Sequence, residues 1–173
     1  QRCCATDSFR SVALLSSTFD SPIGGINLIA DGSILLASNL SNMKAAKASL
    51  HSDYSDFKIE QVKKIPVISE LLKDYFDGDI SAINGIKVSQ PGASFSQSAW
   101  KAMRKVKGTI SYAELADRAG SPAAVRAAGS ACAKNAIVLV VPCHRIVKTG
   151  GNLGNYAYGL NKKEWLLRHE GAL

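Results

Sequence analysis

The chain predicts a small α/β unit followed by a helical unit that contains a helix-turn-helix. The first half alternates short apolar strands with sharp turns before becoming helical, whereas the second half opens on a helix. A Gln90-Pro91-Gly92 break separates them, and two short helical stretches then flank Gly120-Ser121 in the manner of a helix-turn-helix.

Residues 11–19 read as a strand, ended by the turn residues Asp20-Ser21-Pro22 and Gly24-Gly25. Residues 25–30 and 33–39 give two more strands around Asp31-Gly32. Residues 42–50 are helical, and residues 66–76 place Ile68, Leu71, Leu72, Tyr75 and Phe76 on one helix face before Gly78. Residues 83–88 complete this half as a last strand. Residues 1–91 therefore form one domain, and no residue pattern in it carries identifiable chemistry.

In the second domain, residues 92–173, Ser94 is expected to cap a helix running to about Val106. Phe95, Ala99, Trp100, Met103 and Val106 form its buried face, and Gly108 breaks it. Residues 111–119 and 122–133 are the two short helices, the second capped by Ser121 with Pro122 in its first turn. That second helix is smooth: Ala123, Ala124, Ala127, Ala128, Gly129, Ser130 and Ala131 leave Arg126 as its only long side chain before Lys134. Such a surface suits close approach to a DNA duplex, and it equally suits tight packing on a neighbouring helix.

Residues 137–141 read as a buried strand that delivers Cys143. The glycine-rich run 150–159 lacks both G-x-G-x-x-G spacing and a P-loop lysine, which excludes a nucleotide-binding fold. Its glycines and tyrosines either wall a pocket for a planar ligand or form a surface loop. Asn161-Lys162-Lys163-Glu164 is expected to open a last helix as a capping box, with Trp165, Leu166 and Leu167 facing the core. Glu170 lies at the unfavourable end of that helix dipole, either solvated or held by a specific partner.

At 173 residues and 46% hydrophobic content the chain can bury a real core, and no apolar run approaches a membrane span. The start of the sequence lacks the apolar core of a signal peptide, so an intracellular location is expected: nucleus in a eukaryote, cytoplasm in a prokaryote. Residues 1–91 carry nine Lys and Arg against ten Asp and Glu, net −1, and residues 92–173 carry twelve against four, net +8. A basic half points to a polyanion partner or to a plain solvated surface. Cys3, Cys4, Cys132 and Cys143 show no ligand spacing, so no metal and no other cofactor is expected. A disulfide framework is out of place in a chain with this much core.

The chemistry concentrates in Val141-Pro142-Cys143-His144-Arg145. The thiolate is the reactive form of cysteine, and a nearby imidazole can take its proton. A carboxylate can then orient and stabilise the imidazolium. A buried Cys beside a His is often plain packing, so the pair takes its meaning from its surroundings.

Those surroundings are Ser111-Tyr112, Arg126-Ala127-Ala128-Gly129, Asn135, Pro142-Cys143-His144-Arg145, Gly154-Asn155-Tyr156, and the run from Lys163-Glu164-Trp165 to His169-Glu170-Gly171. In this order they resemble the O6-alkylguanine-DNA alkyltransferases, also called methylated-DNA–protein-cysteine methyltransferases. The resemblance runs from about Phe95 to Gly171 and reaches into the first half through Asp20-Ser21-Pro22-Ile23-Gly24. It implies a ribonuclease H-like α/β domain followed by a winged-helix-like domain that binds DNA and accepts the alkyl group. The implied function is direct-reversal DNA repair. O6-alkylguanine, mainly O6-methylguanine, would be flipped from the duplex and its alkyl group passed irreversibly to Cys143, once per molecule.

The same resemblance assigns roles. Cys143 attacks the alkyl carbon, His144 draws the thiol proton through a water, and Glu170 orients His144. Tyr112 donates to N3 of the base, Tyr156 and Lys163 support the leaving base and the thiolate, and Asn135 ties the recognition helix to the active-site strand. Arg126 fills the stack vacated by the flipped nucleotide, with Ser121, Ala124, Ala127, Gly129 and Arg145 also on DNA. Tyr112, Val141, Pro142, Tyr156, Ala157 and Tyr158 line the substrate pocket. The implied partner is double-stranded DNA containing O6-alkylguanine, bound by a monomer, with cooperative binding left open and no membrane.

Departures from the family pattern bear on the site. The loop 108–112 is one residue short before Ser111-Tyr112, Ala136 replaces the usual proline after Asn135, and Tyr158 stands where some relatives carry glycine. No residues match the N-terminal zinc ligands of some members. Cys132 reads as a packing residue or a second alkylation site. Two other classes compete: a lesion sensor of the same fold, which would lack the acceptor cysteine, and a Cys-His hydrolase, whose histidine normally comes from elsewhere in the fold. A plain binding module would leave the ordered set of residues to coincidence.

Overall fold

The computed structural model describes residues 13–173; Cys3, Cys4 and the start of the first expected strand lie outside the described residues. Strands β1 (Leu14–Ser21), β2 (Gly24–Asp31) and β3 (Ile34–Asn39) form an antiparallel meander. The turn glycines Gly24 and Gly32 take φ of 110° and 58°, where a Cβ would be strained. Helix α1 (Met43–Ala48) starts at Asn42, whose side-chain oxygen accepts the Ala45 N–H at 2.7 Å. β4 (Ile59–Gln61) then pairs in parallel with β1, and helix α2 (Ile68–Phe76) buries Ile68, Leu72 and Tyr75. β5 (Lys87–Val88) pairs in parallel with β3, which gives the sheet order β4-β1-β2-β3-β5.

Two differences from the sequence reading fall in this half. β4 is three residues long, too short for any alternation to show. The expected strand at 83–88 is mostly a 3₁₀ turn, Ile80–Gly85, because Ala82 and Ile83 turn inward to fill the core under α2.

The second half contains α3 (Ser94–Arg104), β6 (Ile110–Ser111), α4 (Tyr112–Arg118), α5 (Val125–Ala133), β7 (Ile146–Val147) and α6 (Leu160–His169). α4 and α5 pack as the helix-turn-helix, and Trp100 on α3 donates its indole N–H to the Ala131 carbonyl at 2.9 Å, tying α3 to α5. β6 and β7 pair in parallel.

Helix starts differ most from expectation. Ser111 does cap α4, accepting the Glu114 N–H at 3.1 Å. Ser94 does not cap α3; it is the first helical residue, behind Ala93. α5 begins at Val125 instead of residue 122, because Ser121 accepts the Ala124 N–H through its backbone carbonyl at 2.9 Å and spends residues 121–124 in a turn. The capping box at Asn161 does not form either. Gly159, at φ 104°, sends the chain into α6 one residue before Asn161, in a conformation that glycine alone adopts easily.

Residues 137–141 are buried but do not make a regular strand. Ile137 bridges to Ser38 of β3, Leu139 takes φ 75°, and the Val141 N–H returns to the Ile137 carbonyl at 3.0 Å. The β-branched run reports burial here, and burial alone does not specify a strand. One continuous apolar cluster spans both halves, joining Leu28, Leu72 and Tyr75 to Trp100, Met103, Leu115 and Val140.

Candidate active site

Cys143 opens a 3₁₀ turn (Cys143–Arg145) directly after Pro142, at the end of the buried 137–142 segment. β3 holds that segment from below. Ser38 donates its N–H to the Ala136 carbonyl at 2.9 Å and its hydroxyl to the Val138 carbonyl at 3.0 Å, and it accepts the Val138 N–H at 3.0 Å.

His144 is fully buried, and its Nε2 lies 2.8 Å from Glu170 Oε2. The same oxygen accepts the Tyr75 hydroxyl at 2.6 Å, while Glu170 Oε1 accepts the Arg145 Nε–H at 2.8 Å. Burial alone would raise the Glu170 pKa, but the hydrogen bonds and charges of His144 and Arg145 outweigh it and hold the pKa down to about 2. Glu170 is therefore a carboxylate at neutral pH and can only accept. The proton of this hydrogen bond belongs to Nε2, so Nδ1 is the ring nitrogen with which His144 could take up a further proton. Nδ1 is buried with no hydrogen-bond partner among the described residues. The unfavourable helix-end position of Glu170 is thus resolved by specific partners and not by solvent.

Burial pushes the Cys143 thiol pKa up; hydrogen bonding from the Asn135 side chain and the positive charge of Lys163 pull it back. Asn135 is buried and donates its Nδ2 to the Val141 carbonyl at 2.8 Å. Lys163 is fully buried on α6, and its Nζ donates to the Ile146 carbonyl at 2.7 Å and the Asn155 carbonyl at 3.2 Å. Burial lowers the Lys163 pKa, and the neighbouring thiols of Cys143 and Cys132 act the other way.

Above Cys143 lies a cavity of about 620 Å³ between α5 and the glycine-rich loop. Tyr112, Tyr156, Ala157 and Tyr158 line it as the sequence predicts, but Val141 and Pro142 are buried behind it. Val138, Cys132 and Lys148 line it without having been anticipated and belong to no motif that announces a pocket wall, and Asn155 joins them from the glycine-rich run. Burial raises the pKa of Tyr112 and, more strongly, of Tyr156, so both hydroxyls stay protonated and able to donate. Gly154, at φ 74°, lets the loop pass close to Tyr112: a Cβ there would sit 3.5 Å from the Tyr112 hydroxyl. Among the described residues, the charged side chains on the wall are the cations Arg126 and Lys148.

On α5, Arg126 and Ala127 are exposed and Gly129 is half-buried, with Arg126 and Gly129 at the cavity rim. Ser121 and Ala124 are half-buried in the turn before the helix. Arg145 departs from expectation. Its guanidinium is buried between Glu170 and the Val106 carbonyl, 2.8 Å from each, so it faces the interior and not a phosphate. An arginine two residues after an acceptor cysteine carries no sequence sign of which way it points. Cys132 is half-buried on the cavity wall, and burial pushes its pKa up to about 12.

Sequence reasoning missed two further side chains. Tyr75 of α2 reaches Glu170 across 95 positions of chain, and Gln90 reaches Asn135 across 45. Tyr75 read only as a core residue and Gln90 only as part of a linker.

A helix-turn-helix whose smooth second helix borders a cavity, with a basic-residue wall above a buried cysteine, defines a DNA-binding protein carrying a nucleophile. Residues 94–172 match the family described as 6-O-methylguanine DNA methyltransferase, DNA binding domain. The methylated-DNA–protein-cysteine methyltransferase of Methanosarcina acetivorans is 34% identical over 156 residues, 89% of this chain and 96% of that one. The Shigella flexneri protein of the same name is 41% identical over 108 residues, 61% of this chain; the match spans 63% of that relative's length. Among solved structures, Mycobacterium tuberculosis OGT in complex with DNA superposes with a TM-score of 0.72 at 31% identity, covering 90% of this chain and 92% of that one. The chain belongs to the methylated-DNA–protein-cysteine methyltransferase family. Among the described residues, no helix is long and apolar enough to cross a membrane.

Proposed function

We propose that this protein repairs alkylated DNA by moving the alkyl group from O6 of guanine to Cys143, once per molecule. The observation that carries the reading is the chain Cys143, His144 and Glu170, with Nε2 of His144 committed to Glu170 at 2.8 Å, beneath a cavity bordered by the recognition helix. The thiol proton passes to His144 Nδ1 through a water. The sulfur then forms a bond to the alkyl carbon as the carbon–O6 bond breaks. Tyr112 donates to N3 of the departing guanine, and Glu170 remains a carboxylate that stabilises the imidazolium. Lys163 and Asn135 favour the thiolate, and Tyr156 with Tyr158 walls the base. A thioether has no easy route back, which makes the protein its own spent reagent.

A base inside a duplex hides its O6 substituent, so the nucleotide must rotate out, at a cost of a few kcal/mol. Arg126, exposed at the rim of the cavity, fills the vacated stack, and the small residues Ala124, Ala127 and Gly129 let the backbone of α5 approach the groove. Phosphate contacts from the basic half, residues 92–173, supply affinity without sequence preference. Residues 1–91 form the supporting domain. The partner is double-stranded DNA carrying O6-alkylguanine, bound by a monomer, and the reactive thiol suits a reducing, intracellular compartment. The existence of a relative solved with DNA supports this partner.

The test is intact-mass and peptide mass spectrometry after incubation with an O6-methylguanine duplex. One methylene's added mass on the Cys143 peptide, saturating at one per protein, is expected. Tight binding with Cys143 unmodified would instead make the protein a lesion sensor.

A further inference from the structure

Asn135 uses both of its side-chain polar atoms, and one of the three partners that hold its amide comes from outside the helix-turn-helix. Asn135 Oδ1 accepts the Ile137 N–H at 3.1 Å and Gln90 Nε2–H at 3.0 Å, its Nδ2 donates to the Val141 carbonyl at 2.8 Å, and Asn135 lines the same cavity as Cys143. Gln90 is itself buried in the segment between the two halves, and its Oε1 accepts the Ala136 N–H at 2.8 Å. Gln97 on α3 anchors that segment by donating to the Gln90 carbonyl at 2.7 Å.

The orientation follows by elimination. A backbone N–H can only donate, so the Ala136 N–H fixes Gln90 with Oε1 toward Ala136 and Nε2 toward Asn135. Gln90 Nε2–H and the Ile137 N–H then both require an acceptor, which fixes Asn135 Oδ1 toward them and its NH₂ toward Val141 and Cys143. The family pattern has proline at position 136. Proline has no N–H, so in such a chain nothing at that position would anchor a glutamine. From this geometry we infer that Gln90 is a positioning residue for alkyl transfer: it takes up the N–H exposed by Ala136 and uses it to hold the Asn135 amide on the acceptor sulfur. The inference rests on the alkyl-transfer reading above.

The experiment compares wild type, Gln90→Ala, Gln90→Glu, and Gln90→Ala combined with Ala136→Pro. Single-turnover transfer from an O6-methylguanine duplex is measured at saturating DNA, with DNA affinity and melting in parallel. Gln90→Ala is expected to slow the saturated rate on the order of tenfold with unchanged affinity, because a loosened group beside the reacting atom costs rate more than binding. Ala136→Pro in the Gln90→Ala background removes the unpaired N–H without restoring the donor to Asn135, so it is expected to recover melting temperature and not the transfer rate. Gln90→Glu keeps the acceptor for Ala136 and hence the fold, but presents an oxygen to Asn135 Oδ1, and it too is expected to slow transfer. Wild-type transfer with an unchanged rate in Gln90→Ala or Gln90→Glu would overturn the inference alone, as would full recovery of the rate in the double variant. No adduct on wild-type Cys143 would overturn the alkyl-transfer reading, and this inference with it.

Discussion

Replacing Glu170 by Gln removes the one carboxylate that holds His144 and Arg145, and the consequence for stability can be worked out with its sign. In the folded protein the Glu170 pKa lies at about 2, against 4.5 for an ordinary glutamate. At 1.36 kcal/mol per unit, that depression corresponds to about 3 kcal/mol of stabilisation. Its side chain is only 4% exposed, so solvent screens the interaction little. Because the folded pKa is depressed, the contribution is complete above the unfolded value and disappears as pH falls from about 4.5 through about 2. Glu170→Gln also leaves the buried Arg145 guanidinium without its counter-charge, with only neutral acceptors such as the Val106 carbonyl. Breaking a buried pair from one side costs about 3–5 kcal/mol. Urea unfolding of both proteins at a series of pH values is the assay. At pH 7 the variant is expected to be less stable by at least about 3 kcal/mol, and the gap should narrow steadily as pH falls below about 4.5. Every other carboxylate titrates in both proteins and cancels in the difference. A gap that stays constant from neutral pH down to the acid limit would refute the assignment of Glu170 as the buried, charge-paired carboxylate.

Other side chains give separate tests. Arg126→Ala is expected to slow transfer from duplex roughly tenfold or more while leaving reaction with free O6-alkylguanine base unchanged, since only the duplex must be unstacked; equal loss on both substrates would remove Arg126 from base extrusion. Tyr158→Gly should raise the rate with O6-benzylguanine relative to O6-methylguanine, read as a ratio of second-order rates, because the Tyr158 ring packs edge-on against Tyr156 at 5.7 Å on the cavity wall. An unchanged ratio would mean that another wall limits the alkyl group. Tyr75→Phe keeps the buried ring and deletes the donor to Glu170, so unfolding should show a loss of about 1–3 kcal/mol. A neutral result would mean that the hydroxyl at 2.6 Å contributes nothing net.

The meander, the two longer helices and the helix-turn-helix were legible because each combines a clear period with strong punctuation, such as Asp31-Gly32 or Gly120-Ser121. Helix starts were less so. Ser94, Ser121 and Asn161 are all good cap residues, yet among the described α-helices only α1 and α4 start on a side-chain cap, Asn42 and Ser111. A capping residue states what a chain can do, and the approach angle decides whether it does so. Gly159 sets that angle for α6, and the backbone turn at 121–124 sets it for α5. The run 137–141 failed differently: its β-branched residues report a buried environment, and the geometry inside it is imposed by Ser38 and by a positive φ at Leu139. Within the site, Cys143, His144, Asn135, Tyr112 and Lys163 share a motif and were found together. Arg145 belongs to the same motif, but the direction of its side chain is set by Glu170, a partner that the sequence alone does not place.

The first half looked empty of chemistry because its contributions are made by residue types that advertise nothing. Ser38 docks the segment leading to Cys143, Tyr75 donates to Glu170, and Gln90 donates to Asn135. Each is an ordinary core or linker residue in the sequence, and each bonds a different member of the Cys143 surroundings. The three contacts arrive from β3, from α2 and from the segment before α3, so they fix the site from separate directions. The continuous apolar cluster makes those directions rigid with respect to one another. On the proposed single transfer there is no later turnover in which to correct a poorly aligned encounter, so the geometry must already be set when the base arrives. On this reasoning the N-terminal half is the frame that pre-sets the thiol, and the second half alone would keep every reacting residue while losing the donors that aim three of them.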